Sequence, residues 1–96
     1  MSSIIQIDLS ATVDISGVSE LAKKLLDATR QADTEVQINS ESVTRIDAAA
    51  MQMLAAFFKF AKALGYKVSW QNVSDQLKTA ADLTGMTDPL FLADSA

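Results

Sequence analysis

A chain of 96 residues, 49% hydrophobic and 21% charged, holds enough apolar material for one core and lies far from the composition of a disordered segment. It has no cysteine and no histidine, which excludes disulfides, thiolate metal sites, an imidazole base and a histidine phosphocarrier. A formal charge of -4 runs against the clustered cations that nonspecific nucleic-acid binding requires.

Two cores in so short a chain would each be too small to stand alone, so residues 1–96 are expected to form one domain. The start, Met1-Ser2-Ser3-Ile4, lacks a basic segment followed by a long apolar one, and no apolar run reaches the roughly 18 residues of a membrane span. A soluble, cytoplasmic protein with no direct membrane insertion is the expectation. Ile5, Ile7 and Leu9 alternate with polar neighbours and predict a first strand. Residues 11–14 predict a second, on Thr12 and Val13, reached without the Asn-Gly or Gly-Gly pair of a tight hairpin.

Ser16 then offers an N-cap to an amphipathic helix with Val18, Leu21, Ala22, Leu25, Ala28 and Ala32 at three- and four-residue steps. Glu20, Lys23, Lys24, Asp27 and Arg30 make its solvated face. Val36 and Ile38 place a strand over 35–39, and 40–44 reads as a polar loop. Strong helix formers from Ala48 to Leu64 predict a second helix, which Gly65 stops in a left-handed conformation. Tyr66, Val68 and Trp70 alternate as the next strand. Ser74 and Asp75 open a third helix bearing Leu77, Ala80, Ala81 and Thr84, ending at Gly85, with Pro89 beyond it. Leu90-Phe91-Leu92 is apolar enough to pack back as a short helix or a strand. Strands joined through helices run parallel with right-handed crossovers, so the class is α/β.

With only Gly17, Gly65 and Gly85, neither a dinucleotide fingerprint nor a phosphate-cradling loop can be written on the chain. Asp8, Asp14, Asp27, Asp33, Glu35, Glu41 and Asp47 are scattered without the spacing of a calcium loop and read as surface acids. No metal, cofactor or catalytic role is expected, although a Ser/Lys nucleophile pair leaves no spacing to read. Asp47 stands at the loop-to-helix junction as an N-cap worth about 1 kcal/mol, and the junction is also a candidate partner contact. On the second helix Phe60, Met53, Leu64, Phe57, Ala50, Ala61, Leu54, Phe58 and Met51 sweep about half the circumference, more than one sheet needs. Neighbouring helices, a docking surface or a dimer contact would absorb the surplus. Trp70 reads as packing at the sheet–helix interface, its N–H finding a partner.

The run Val43-Thr44-Arg45-Ile46-Asp47-Ala48-Ala49-Ala50-Met51, followed by Leu54, Gly65 and a strand, resembles the signature of STAS (anti-anti-sigma factor-like) domains, which typically reads Asp-Ser-Ser-Gly-Leu at the start of the second helix. Thr12-Val13-Asp14 is similar to the family's strand-ending Leu-Asp, and Val68 to Gly85 follows its strand, Asn-Val-Ser turn, helix and closing glycine. The resemblance spans nearly the whole chain. It implies a mixed β-sheet of four to five strands flanked by three to four helices. It also implies partner binding around the loop before the second helix, which here assigns Asp14, Thr44, Asp47, Ala48, Ala49, Met51 and Gln52 as contact residues.

Many members of that family are switched by a phosphate on a serine or threonine of this loop, whose charge of about -2 breaks a fitted contact. Ala48 and Ala49 occupy those positions and Ala50 replaces the glycine, so the resemblance implies an adaptor that docks constitutively. Ser40, Ser42 and Thr44 are the nearby hydroxyls open to modification instead. Partners implied are a regulatory kinase, an anti-sigma factor or a chemotaxis component, with a homodimer also allowed. The resemblance equally allows an accessory subunit of a lipid-transport ATPase or a small-ligand-binding module.

Overall fold

Alternation in the strands decides which side of the sheet the helices cover. A computed structural model of the chain describes residues 3–31 and 34–92; Met1, Ser2, Ala32 and Asp33, named above, lie outside the described residues. Strands β1 (Ser3–Asp8), β3 (Thr34–Asn39) and β5 (Lys67–Gln71) pair in parallel in the order β1-β3-β5. Register sets Ile5 beside Val36 beside Val68, and Ile7 beside Ile38 beside Trp70. These rows form the apolar side, while Gln6, Gln37 and Ser69, or Asp8, Asn39 and Gln71, share the polar side.

Helices α1 (Val18–Thr29) and α2 (Ala48–Ala63) pack against each other, α1 over β1 and β3 and α2 over β5. Successive right-handed crossovers in one direction, β1 to β3 to β5, leave both helices on one face. Leu25 and Ala28 of α1 meet Ala50, Leu54, Phe57, Phe58 and Ala61 of α2 in the core. Helix α3 (Asp75–Leu83) adds Leu77 and Ala81.

Two strands of two residues, β2 (Thr12–Val13) and β4 (Arg45–Ile46), form a second parallel ladder. Ser3 faces Thr34 in the first ladder and Thr12 faces Arg45 in the second, so the later chain carries two more residues between them. The surplus lies in the loop 40–44. The same two chains thus run on in the same direction past an irregular step, which is why no hairpin signal separates residues 5–9 from 11–14. Five strands and three helices agree with the expected α/β layers, and every pairing among the described residues is parallel, in two ladders where one mixed sheet was implied. Strand β4 was not anticipated, because two residues carry no period.

Local signals decide the helix ends. Asp47 caps α2 and Ser74 caps α3, each accepting from the backbone N–H three residues on. Gly65, at φ +77°, closes α2, with Tyr66 N–H donating to the Ala61 carbonyl at 2.9 Å; Gly85 and Met86 repeat this after α3. Ser16 departs from expectation: Gly17 is the residue before α1, and Ser16 is held by Asp14 instead. Residues 87–91 run in turns and Leu92 is in 3-10 helical conformation, and the Leu90 carbonyl accepts from the buried Trp70 Nε1–H at 2.8 Å. Trp70 also stacks on Phe58, with centroids 5.3 Å apart.

Candidate docking site at the start of the second helix

Three segments meet where α2 begins: residues 12–15, the loop 40–44 and residues 45–52. Asp47 fastens them. Its Oδ1 accepts from Ala50 N–H at 2.8 Å, its Oδ2 accepts from Ile15 N–H at 3.1 Å, and its own N–H donates to the Val13 carbonyl at 3.1 Å. One carboxylate therefore caps α2 and holds the chain ahead of α1. Asp47→Ala is expected to lower stability by about 1–2 kcal/mol, since two backbone donors lose their acceptor. Amide exchange at Ile15 and Ala50 should quicken together; protection unchanged at Ile15 would show that the second bond does not hold the loop.

Asp14 organises the next turn. Its Oδ1 accepts from the Ser16 hydroxyl at 2.5 Å and from Ser16 N–H at 3.1 Å, and its carbonyl accepts from Gly17 N–H. The Ser16 hydroxyl is the largest influence on its carboxyl and holds it below the usual carboxylate range; slight burial opposes this, and the backbone N–H groups of Ser16 and Gly17 add to the lowering. A depressed folded-state pKa means stability that is present above the unfolded-state value and lost as pH falls through the folded one. Ser16→Ala should move the Asp14 carboxyl titration upward in a carbon-detected NMR series. An unmoved titration would remove the hydroxyl as its cause.

Among the residues assigned from sequence, Thr44, Ala48 and Gln52 are exposed, and Asp14, Asp47 and Ala49 are half-buried. Of the alanine-filled turn, Ala48 is open to solvent and Ala49 partly so, while Ala50 is fully buried in the core. Thr44 is tied to Ala11, its Oγ1 donating to the Ala11 carbonyl at 3.1 Å. Met51 is different: only 3% exposed, it packs in the core with its sulfur near the Thr84 hydroxyl, so its side chain is closed to an approaching surface. Ser40 also requires correction as a nearby modification site. It is fully buried, donating its N–H to the Gln71 carbonyl and its hydroxyl to the Asn72 carbonyl, because the inward Val43 draws the loop onto the core. Ser42 and Thr44 keep exposed side chains.

Ile15 was missed by the sequence reading. It is 69% exposed beside Asp47, and its signal was an isoleucine between polar residues outside any periodic segment. The segments on either side of Asp47 also form an open depression of about 320 Å³, lined by residues 12–14 and 45–47. A second, of about 240 Å³, is lined by Asp8, Ser10, Thr12, Asp14, Glu20 and Lys24 among others. Among the described residues no group of acids is arranged to hold a metal ion, and no helix is long and apolar enough to cross a membrane. The patch presents small, apolar and acidic groups together with the exposed Arg45 on a fixed backbone, suited to association with another surface.

A family model described as "Mlab, STAS domain" matches residues 2–93. Among solved structures, the chain is similar to the crystal structure of a sulfate transporter family protein from Wolinella succinogenes, with a TM-score of 0.72 and 23% identity over 91% of this chain and 70% of that one. At that identity the likeness concerns the fold. Comparison with curated proteins gives no significant match.

Proposed function

The chain belongs to the STAS domain family, and on that premise we propose that it is a non-catalytic protein-docking module of bacterial signal transduction, related in role to anti-sigma factor antagonists or chemotaxis-linked adaptors. It acts by binding a regulatory kinase, an anti-sigma factor or a chemotaxis component through the start of α2. The observation that carries this is the exposed turn at Ala48, flanked by exposed Ile15 and Gln52 and pinned by Asp47. A backbone held by two side-chain hydrogen bonds needs little ordering on association, which lowers the cost of binding.

Alanine at positions 48 and 49 offers no oxygen to a kinase, so docking is constitutive. This favours a second reading, a permanent accessory subunit of a lipid-transport ATPase, since a standing subunit needs no erasable contact. Affinity capture of the tagged chain from its host separates the two: a kinase, anti-sigma factor or chemotaxis protein supports the first, and an ATPase supports the second. Capture that persists undiminished when Ala48 carries a charged side chain would remove the site from both. Intact-mass analysis after incubation with a captured kinase should find no phosphate on residues 40–51.

A further inference from the structure

The apolar surplus on α2 is only partly absorbed by the fold. Phe57 is buried, Met53 is half-buried, and Phe60 keeps 44% of its surface exposed. Together with Ala56 they face Ala22 and Leu26 of α1 across a groove of about 230 Å³. Its lining is side-chain carbon, with no hydrogen-bonding side chain to orient a polar ligand. That volume lies below the roughly 300–1,000 Å³ of small-molecule pockets and suits one or two inserted side chains.

Cations stand along the groove's outer edges. Lys23 follows Ala22 and lies one turn before Leu26, Arg30 lies one turn after it, and Lys59 lies one turn after Ala56. All three side chains are exposed, and none has a carboxylate in ion-pair range among the described residues. Asp27, one turn after Lys23 on the outward side of α1, is an acid close to the rim in sequence. On a chain of net charge -4 this is a locally positive rim around an apolar floor.

We infer that the groove between α1 and α2 is a docking site for an acidic amphipathic helix of a partner protein. Apolar side chains at i, i+3 or i+4 and i+7 enter the groove, and flanking Glu or Asp side chains meet Lys23, Arg30 and Lys59. A second copy of this chain is the poorer occupant, because a two-fold contact brings the same patch of both copies together and so sets one positive rim against another. A bilayer is poorer too, since insertion needs a broad apolar face that stands out from the surface, and here Phe57 is recessed and only Phe60 and Leu64 project at one end. The groove begins at Met53, about 7.5 Å along α2 from Ala48, and reaches Phe60, about 18 Å along it, so its far end lies well away from the patch at Ala48.

The test uses the isotope-labelled full chain and two synthetic helical peptides with identical leucine spacing, one flanked by glutamates and the other by lysines. The acidic peptide should shift the amides of Ala22, Leu26, Met53 and Phe60, leave those of Ile15 and Ala48 in place, and bind less tightly as salt rises. Combining Lys23→Glu with Lys59→Glu, both at exposed positions, should weaken the acidic peptide by about tenfold or more and favour the basic one. Equal binding of the two peptides, shifts centred elsewhere, or no shift with millimolar acidic peptide would overturn the inference. So would self-association through Phe60 in sedimentation, or binding to phosphatidylglycerol vesicles in place of peptide.

Discussion

Replacing Trp70 by alanine is expected to lower the unfolding free energy by about 3–5 kcal/mol, enough to leave a domain of this size marginal or unfolded. The ring is 4% exposed and sits where the edge strand β5, helix α2 and the tail converge. Its loss empties the space against Phe58, and the aromatic pair contributes about 0.5–1.5 kcal/mol beyond the area it buries. Phe91 packs on the other reach of Phe58, with centroids 5.8 Å apart, so the tail loosens with the core. Trp70→Phe separates the two contributions. It keeps most of the apolar volume but deprives the Leu90 carbonyl of its donor, at about 1–3 kcal/mol. Urea unfolding followed by far-UV circular dichroism reads both variants. A loss below about 1 kcal/mol for Trp70→Ala would mean that the tail and α2 close without the indole.

The elements that could be read from the chain are those whose burial leaves a period. Ile5, Ile7, Val36, Ile38, Val68 and Trp70 face one way because the helices cover one side of the sheet, and alternation records this directly. Cap residues recorded the ends of α2 and α3 because each satisfies backbone groups that nothing else reaches. What escaped is what depends on distant partners. Ser16 has the chemistry of a cap, yet Asp14 is two residues away and captures it, so local competition outweighed capping. Ser40 looked like an exposed loop serine until Gln71, the last residue of β5, and Asn72 after it supplied carbonyls to its two donors. Val43 was legible only as an apolar residue among polar ones, although it is fully buried and draws the loop inward.

The candidate site was legible to the same degree. Asp47, Ala48 and Gln52 could be placed from the resemblance together with the helix start. Met51 could not, because a residue four positions after a cap turns toward the core or the surface according to what packs beside it. Here α3 and the Met51 side chain share that space, so a substitution at Met51 reports on the core. Ile15 had no period to announce it, and only its N–H bond to Asp47 brings it beside the turn.

A substitution that tests docking should therefore leave the fold untouched, and Ala48→Glu meets that condition. Ala48 is the first residue of α2, with an exposed side chain. A negative charge in the first turn is favoured by the helix dipole by about 0.3–1 kcal/mol, so the variant should be as stable as the parent or slightly more so. The same charge and bulk stand where a partner must approach a small apolar surface. Desolvating that carboxylate against an apolar partner surface should reduce affinity by at least about tenfold, or 1.4 kcal/mol, mostly through faster dissociation. Glutamate thus imposes at position 48 much of what phosphate imposes on relatives with a hydroxyl there. Ala48→Ser is the companion variant. It should bind like the parent until a kinase modifies it, and lose binding afterwards. Calorimetric titration of a captured partner against the parent and both variants decides the matter. If the glutamate variant binds with unchanged affinity while its thermal unfolding is also unchanged, the start of α2 is not where this protein meets its partner.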